Sequence, residues 1–149
     1  MAKKLGRSTI RLETPPTIEA FAAIGGKREG EGPLAAEFDL LNDDTSFGES
    51  TWEKAESEMQ KSAMEKALAK ANLAPGDIDL IFAGDLLNQC VGSTYGLRSL
   101  EIPFLGLYGA CSTMAESLAV AALFIEGGLA NRTAAVTSSH FCSAERQFR

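Results

Sequence analysis

The longest helical pattern in the chain begins near Ser50. Ser50 and Glu53 have the S-x-x-E spacing of a capping box, in which side chains satisfy backbone N–H groups of the first helical turn. Apolar residues then recur at helical spacing: Trp52, Ala55, Met59, Ala63, Met64, Ala67, Leu68 and Ala71. Because charged residues occupy the other positions, we predict a helix with one solvent-exposed face. The helix is predicted to end at Asn72, before the Pro75-Gly76 turn.

Three short apolar runs alternate with helical patterns in the rest of the chain. These runs are residues 78–84, 103–108 and 133–138. Residues 91–100 favour a short helix, and residues 112–125 are so apolar that a helix there must be covered on nearly all sides. The order strand–helix–strand–helix–strand predicts an α/β fold with a mainly parallel sheet.

The first 50 residues have weaker patterns. Residues 9–12 and 18–24 predict short strands on either side of the Pro15-Pro16 turn. The glycine-rich residues 25–34 and the acidic residues 39–50 are predicted to be surface loops. We assign no metal to the acidic loop, because it lacks the oxygen-ligand pattern of an EF-hand.

Composition narrows the classes of function. At 149 residues, 45% hydrophobic and 23% charged, the chain is long enough for one globular domain. Its formal charge of −6, with no basic run beyond Lys3-Lys4, argues against nucleic acid as a partner. The N-terminus has Lys3, Lys4, Arg7 and Arg11 but no apolar core of a signal peptide, and no window reaches the ~18 apolar residues of a membrane span. We therefore predict neither an export signal nor a transmembrane segment.

The cysteines and the single histidine limit the possible sites. Cys90, Cys111 and Cys142 are odd in number and form no C-x-x-C, so neither a disulfide framework nor a zinc site is predicted. With only His140, a Cys/His/His constellation cannot be assembled from this chain alone.

Several motifs together resemble a known superfamily. A strand that ends in Ala83-Gly84-Asp85, then a second strand, then Gly109-Ala110-Cys111-Ser112 opening an apolar helix resembles the N-terminal half of thiolase-fold proteins, which include thiolases and ketoacyl synthase III enzymes. Within that superfamily, GGKREGEGPLAAEFD, AGDLLNQ, GACSTMAES and TSSHFCSAERQFR are similar to the stage V sporulation protein AD family of spore-forming bacteria. The resemblance covers residues 8–149.

The resemblance implies an architecture. The thiolase fold consists of two similar halves packed back to back, so we expect residues 1–149 to form a truncated N-terminal thiolase-like half-domain without its C-terminal half. Full-length members of the family are expected to be homodimers. Because catalytic histidines of this fold come mainly from the second half, we carry no catalytic role onto His140, which we expect to hydrogen-bond a neighbouring loop.

Cys111 is the candidate reactive group. A thiol at a helix N-terminus meets the positive end of the helix dipole, which is why acyl-transfer enzymes place a nucleophile there. A pocket-lining thiol and simple packing between strand and helix are the alternatives, and the lack of a base in the chain favours a pocket-lining thiol. If the chain is an acyltransferase, Cys111 forms the thioester.

The resemblance also implies a ligand and a location. Members of the family are expected to bind dipicolinic acid, pyridine-2,6-dicarboxylate, and to load it with calcium into the spore core. Backbone N–H groups of Ser112 and Thr113 would face its carboxylates, and Asp85 would either hold a calcium ion carried by the ligand or cap a turn. No resident cofactor is expected. The expected partners are other stage V sporulation membrane proteins, and the expected location is the periphery of the inner spore membrane.

A third possibility is a nonfunctional fragment. In that case the helix over residues 112–125 would expose an apolar patch, which dimerisation could cover.

Overall fold

The computed structural model describes residues 2–148, so Met1 and Arg149, the ends of the predicted domain, lie outside the description. In chain order, the strands are β1 Lys3–Leu5, β2 Thr9–Arg11, β3 Ile24–Gly26, β4 Leu40–Asn42, β5 Leu80–Gly84, β6 Phe104–Gly106 and β7 Thr133–Thr137. The helices are α1 Lys27–Gly30, α2 Trp52–Ala71, α3 Val91–Leu97, α4 Thr113–Glu126 and α5 Phe141–Phe148.

Helix α2 is the predicted long helix, but its first turn differs from the prediction. Thr51 is the N-cap, and its hydroxyl accepts a hydrogen bond from the Lys54 N–H at 3.3 Å. The predicted capping box of Ser50 and Glu53 is therefore wrong, since Thr51 already has the extended backbone that an N-cap requires. Asn72 ends the helix in the left-handed conformation, as expected.

The buried face of α2 is also displaced from the predicted stripe. Its buried residues are Ala55, Glu56, Gln60, Met64 and Leu68. The last four recur at intervals of four residues and so lie on one side of the helix. Two of them are polar, which is why a search for apolar periodicity places the face elsewhere.

The central sheet confirms the predicted parallel arrangement. Strand β5 lies between β6 and β7, and both neighbours run parallel to it. Phe82 of β5 meets Phe124 of α4 edge to face, with ring centroids 4.9 Å apart. Successive residues of a strand point to opposite faces, and accordingly Ile81 and Ala83 lie in an apolar cluster with residues of α2 and α3. Helices α2 and α3 thus cover one face of the sheet, and α4 lies on the other.

Helix α4 is less covered than predicted. Only Thr113, Ser117 and Ala121 are buried along it. Met114 and Leu118 are each 44% exposed. The prediction of a helix covered on nearly all sides is therefore wrong, because the side of α4 that carries Met114 and Leu118 is open to solvent among the described residues.

The N-terminal and C-terminal segments hold three further differences. Strands β1 and β2 form an antiparallel hairpin, of which only β2 was predicted. Of the predicted strand at residues 18–24, only Ile24 is in a strand, because the preceding residues pair with no described strand; β3 pairs with β4 in parallel. Helices α1 and α5 were not predicted.

Candidate functional site

The turn that opens α4 holds three of the four predicted site residues. A 3-10 turn, Ala110–Ser112, precedes the helix, and Ala110 has a left-handed φ of 48°. The Ser112 hydroxyl donates to the Gly109 carbonyl at 2.7 Å, and the Thr113 hydroxyl donates to the Ala110 carbonyl at 2.8 Å. Both hydroxyls therefore close the turn.

The backbone N–H groups of this turn are also engaged. The Ser112 N–H donates to the Gly109 carbonyl at 3.0 Å, and the Thr113 N–H donates to the Ala110 carbonyl. A Cβ on Gly109 would lie 2.5 Å from Glu116 Oε2, which shows that the Glu116 carboxylate folds back over the start of the helix. A carboxylate of the chain itself therefore lies close to the turn at which an anionic ligand was predicted.

Cys111 lies on the surface of the same turn. Its thiol is exposed and makes no hydrogen bond to any residue between 2 and 148. A thiol here is accessible to reagents, but acyl transfer also needs a base within hydrogen-bonding reach.

His140 is not placed to be that base. Its ring stacks on Trp52 of α2 at 5.6 Å between centroids, and its Nε2 lies 2.7 Å from the Thr45 carbonyl oxygen. Because a carbonyl only accepts, Nε2 carries the proton. His140 therefore lies on the α2 side of the sheet and binds a neighbouring loop, as expected.

Asp85 is buried at the end of β5, with 1% of its surface exposed. Its carboxylate accepts from the Leu87 N–H at 2.8 Å, from the Ser93 N–H at 2.7 Å and from the Ser93 hydroxyl at 2.6 Å. These are the bonds of a capped turn, one of the two roles left open by the sequence.

The structure does not bring the Asp85 carboxylate to the start of α4. Along β5, Gly84 faces α4, since a Cβ there would lie 2.6 Å from the Thr113 methyl group. The next residue, Asp85, points to the opposite face, towards α3. Cys111, Ser112 and Thr113 therefore lie together at the start of α4, and Asp85 fixes a turn on the opposite face of the sheet.

A buried polar cluster on the α2 face was missed by the sequence analysis. Its members are Glu56, Gln60, Asp85, Ser93, Ser138 and Ser143. Glu56 accepts from the Ser138 hydroxyl at 2.7 Å and from the Ser143 hydroxyl. The signal that could have revealed it is the four-residue spacing that places Glu56 and Gln60 in line with Met64 and Leu68.

Glu56 has a perturbed acidity. Burial raises the pKa of its carboxyl above the ordinary value of 4.5, and the nearby Asp85 carboxylate acts in the same direction. Hydrogen bonds from Ser143 and Ser138 and the proximity of His140 oppose this shift. The Gln60 Oε1 atom and the His140 Nδ1 atom are buried without a partner among residues 2–148.

Two open surface grooves lie away from these residues. One, of about 470 Å³, lies between the β1–β2 hairpin and α4 and is lined by Ala2, Lys4, Arg7, Ser8, Thr9, Ile10 and Leu123. The other, of about 270 Å³, is lined by Ile24, Leu40, Ser62, Glu65, Lys66 and Ala69.

Within the described range, no group of three or more His, Cys, Asp or Glu side chains is placed to hold a metal ion. None of the helices between residues 2 and 148 is both long and apolar enough to cross a membrane.

Comparisons with known proteins agree with this fold. The family model of stage V sporulation protein AD matches residues 6–149. Stage V sporulation protein AD of Bacillus subtilis (strain 168) is 45% identical over 147 residues, which are 99% of this chain and 44% of that protein. The chain thus spans less than half the length of this curated relative.

Two solved structures are also similar. The 3-oxoacyl-[acyl-carrier-protein] synthase III of Aquifex aeolicus VF5 has a TM-score of 0.54 at 24% identity, over 59% of this chain and 30% of that one. The priming β-ketosynthase of the R1128 polyketide biosynthetic pathway has a TM-score of 0.48 at 22% identity, over 57% and 27%. The first likeness confirms the thiolase-like fold and, at this identity, concerns the fold alone.

Proposed function

The chain belongs to the stage V sporulation protein AD family, whose role lies in sporulation, and on this premise we propose that it is a binding protein rather than an enzyme. The proposed ligand is dipicolinic acid, pyridine-2,6-dicarboxylate, carried with or without calcium for uptake into the developing spore. The family membership supports the sporulation role, and the ligand is our proposal.

The observation that carries a non-catalytic role is the separation of Cys111 from His140. The thiol lies at the start of α4, whereas the imidazole lies on the opposite side of the sheet against Trp52. A thiol without a base in reach does not turn over acyl groups efficiently. We therefore assign Cys111 to the wall of a binding site.

The proposed site is the turn of Cys111, Ser112 and Thr113, in which Cys111 and Ser112 are exposed and Thr113 is buried. Helix α4 has 14 residues, and the positive end of its dipole favours an anion at this turn. A dicarboxylate would bind by displacing the exposed Glu116 side chain, which now lies over Gly109. Asp85 contributes by fixing the turn after β5.

We further propose that the protein acts at the periphery of the inner spore membrane with other stage V sporulation membrane proteins, and that full-length members of the family are homodimers. The family's assignment to sporulation supports this setting.

A second candidate function is acyl transfer through Cys111. The exposed thiol at a helix start favours it. In this case the thiol attacks an acyl thioester, a new thioester forms on Cys111, and the substrate's thiol leaves with the proton. The base would have to lie outside the described residues.

Calorimetric titration of dipicolinate, with and without calcium, into the folded chain tests the proposal. We expect saturable binding, weakened in Cys111→Ala and about three- to tenfold tighter in Glu116→Gln, because that change removes a negative charge beside the bound anion. Glu65→Gln, on the exposed side of α2, is the matched control and should bind like the unmodified chain.

Three outcomes separate the alternatives. Absence of binding by a chain that circular dichroism shows to be folded would contradict the proposal for this chain. A mass increase on Cys111 after incubation with an acyl thioester, absent from Cys111→Ala, would instead favour the acyltransferase. A chain that does not fold would favour the nonfunctional fragment.

A further inference from the structure

The β1–β2 hairpin concentrates positive charge in an acidic protein. Lys3, Lys4, Arg7 and Arg11 are all exposed. Residues 2–12 contain these four cations and no acidic residue, whereas the whole chain has a formal charge of −6, so the remaining residues together carry −10. Charge is thus sharply segregated between the hairpin and the rest of the molecule.

The four hairpin cations are not neutralised within the protein. None of them forms an ion pair or a side-chain hydrogen bond with another residue between 2 and 148. By contrast, Lys70 pairs with Asp39 at 2.8 Å, Arg132 with Glu19 at 3.1 Å and Arg146 with Glu53 at 3.5 Å. Unpaired cations at this density attract an external anionic surface.

Apolar side chains accompany these cations. Leu5 is 42% exposed and Ile10 is 57% exposed. Ile10 also lines the groove of about 470 Å³ between the hairpin and α4, together with Lys4, Arg7 and Leu123. The hairpin therefore offers both charge and apolar surface to a partner.

The strand register distributes these groups over both faces of the hairpin. Lys3 pairs with Arg11 and Leu5 with Thr9 on one face, whereas Lys4 pairs with Ile10 on the other. Gly6 has a φ of 59° in the turn, which places Arg7 at the tip. Cations on two faces and a tip suit a layer of anionic headgroups, which the hairpin can enter tip first, better than a single acidic peptide, which would contact one face.

We propose that the β1–β2 hairpin docks the protein on the anionic surface of a lipid bilayer. The cations contact lipid phosphates, and Leu5 and Ile10 enter the boundary between headgroups and acyl chains. The acidic remainder of the molecule is repelled by the same surface, so the protein approaches with the hairpin first.

The hairpin is held to the body of the protein. The N–H groups of Glu13 and Thr14 donate to the Glu126 carboxylate, at the end of α4, at 3.1 and 3.0 Å. Docking through the hairpin would therefore orient α4 relative to the membrane. This inference specifies the surface for the peripheral location proposed above, but it does not depend on dipicolinate binding.

Co-sedimentation with vesicles tests the inference. We expect the chain to bind vesicles of phosphatidylglycerol and phosphatidylcholine, not to bind phosphatidylcholine alone, and to dissociate in about 1 M salt, where the Debye length is about 3 Å. Replacing all four hairpin cations (Lys3→Gln, Lys4→Gln, Arg7→Gln, Arg11→Gln) should lower the affinity on the order of a thousandfold.

The matched control removes four exposed cations elsewhere: Lys27→Gln, Arg28→Gln, Lys54→Gln and Lys66→Gln. It has the same net charge as the hairpin variant, so binding within about threefold of the unmodified chain supports a local docking surface. An equal loss in both variants would overturn the inference, as would equal binding to uncharged vesicles. Tighter binding to soluble polyglutamate than to anionic vesicles would assign the hairpin to an acidic protein partner instead.

Dipicolinate titration of the hairpin variant separates this inference from the proposed function. Unchanged dipicolinate binding with lost vesicle binding supports a docking surface that is distinct from the ligand site. If vesicle binding requires the hairpin but dipicolinate does not bind even the unmodified chain, the docking inference stands and the proposed function fails.

Discussion

The two faces of the β6–β5–β7 sheet contrast in how they are covered. On the α2 and α3 face, polar side chains such as Glu56 and Gln60 are buried and hydrogen-bonded. On the α4 face, apolar side chains such as Met114 and Leu118 remain exposed. The more apolar helix is thus the less buried one, because burial depends on the neighbouring elements and not only on the helix itself.

The difference has a physical basis. On the α2 face, hydrogen-bonding partners for buried polar groups come from α3, from the end of β7 and from α5. On the other face the β1–β2 hairpin lies beside Leu123, but Met114 and Leu118 of α4 remain exposed. An exposed apolar surface of this kind is typical of an interaction site. The predicted second half of the fold is the natural candidate to cover it, and it remains a prediction.

Removal of the Asp85 carboxylate should destabilise the face of the sheet covered by α2 and α3, here called the closed face, more than the other changes to its polar groups. Asp85→Ala would leave the buried N–H groups of Leu87 and Ser93 without their acceptor. We expect a loss of about 3–5 kcal/mol in the free energy of unfolding, measured by urea denaturation. Asp43→Ala, at an exposed loop position, should change stability by less than about 0.5 kcal/mol. A loss below about 1 kcal/mol for Asp85→Ala would mean that the cluster is not a main source of stability.

Gly96 tests how closely α3 approaches α2. A Cβ at this position would overlap the Ser57 carbonyl oxygen of α2, which is backbone and cannot rotate away. We expect Gly96→Ala to cost about 1–3 kcal/mol in thermal or urea unfolding. Gly76→Ala is the control, since a Cβ there meets nothing within 4 Å. Equal stability of the two variants would show that the helices can separate without cost.

Glu56 makes the stability of the closed face depend on pH. The pKa of the Glu56 carboxyl is higher in the folded chain than its ordinary value of 4.5. Between these two values the carboxyl is ionised mainly in the unfolded chain, so the free energy of unfolding falls as pH rises. Glu56→Gln should lack this loss. The stability difference between variant and unmodified chain should therefore grow with pH in that window, by at most about 1.4 kcal/mol per pH unit.

Urea unfolding at several values between about pH 4 and pH 8 measures this difference. Glu58→Gln, on the outer side of α2, controls for the loss of one negative charge. A difference that shrinks with rising pH would contradict the raised pKa of Glu56.

The sequence predicted the parallel sheet, because β5 and β7 have clear apolar runs and the helical patterns of α2 and α4 have clear ends at Asn72 and Gly127. The thiolase-like fold was predicted from the resemblance of the chain's motifs to those of known proteins. It failed where the outcome depends on distant partners. Residues 18–23 have the residue types of a strand but lie in no described strand, and α4 has the composition of a buried helix but leaves Met114 and Leu118 exposed.

The candidate site was predicted in the same uneven way. Cys111, Ser112 and Thr113 lie together because they are consecutive in one turn. The position of the Asp85 side chain could not be predicted in this way. It depends on the alternation of side chains along β5 and on the face of the sheet against which α4 packs. Glu56 and Gln60 were missed because a buried polar residue gives no apolar signal, although their spacing matches that of Met64 and Leu68.

The substitution with the smallest expected effect, Leu118→Ala, gives the most direct comparison of the two faces. Leu68 on α2 is 6% exposed, whereas Leu118 on α4 is 44% exposed. Leu68→Ala should cost about 2–5 kcal/mol of unfolding free energy, because it leaves a cavity in a closed core. The identical substitution Leu118→Ala should cost less than about 1 kcal/mol and should reduce binding of an apolar dye to the α4 face. A loss at Leu118 as large as that at Leu68 would mean that α4 is covered in solution, and a concentration-dependent loss would identify a second copy of the chain as the cover.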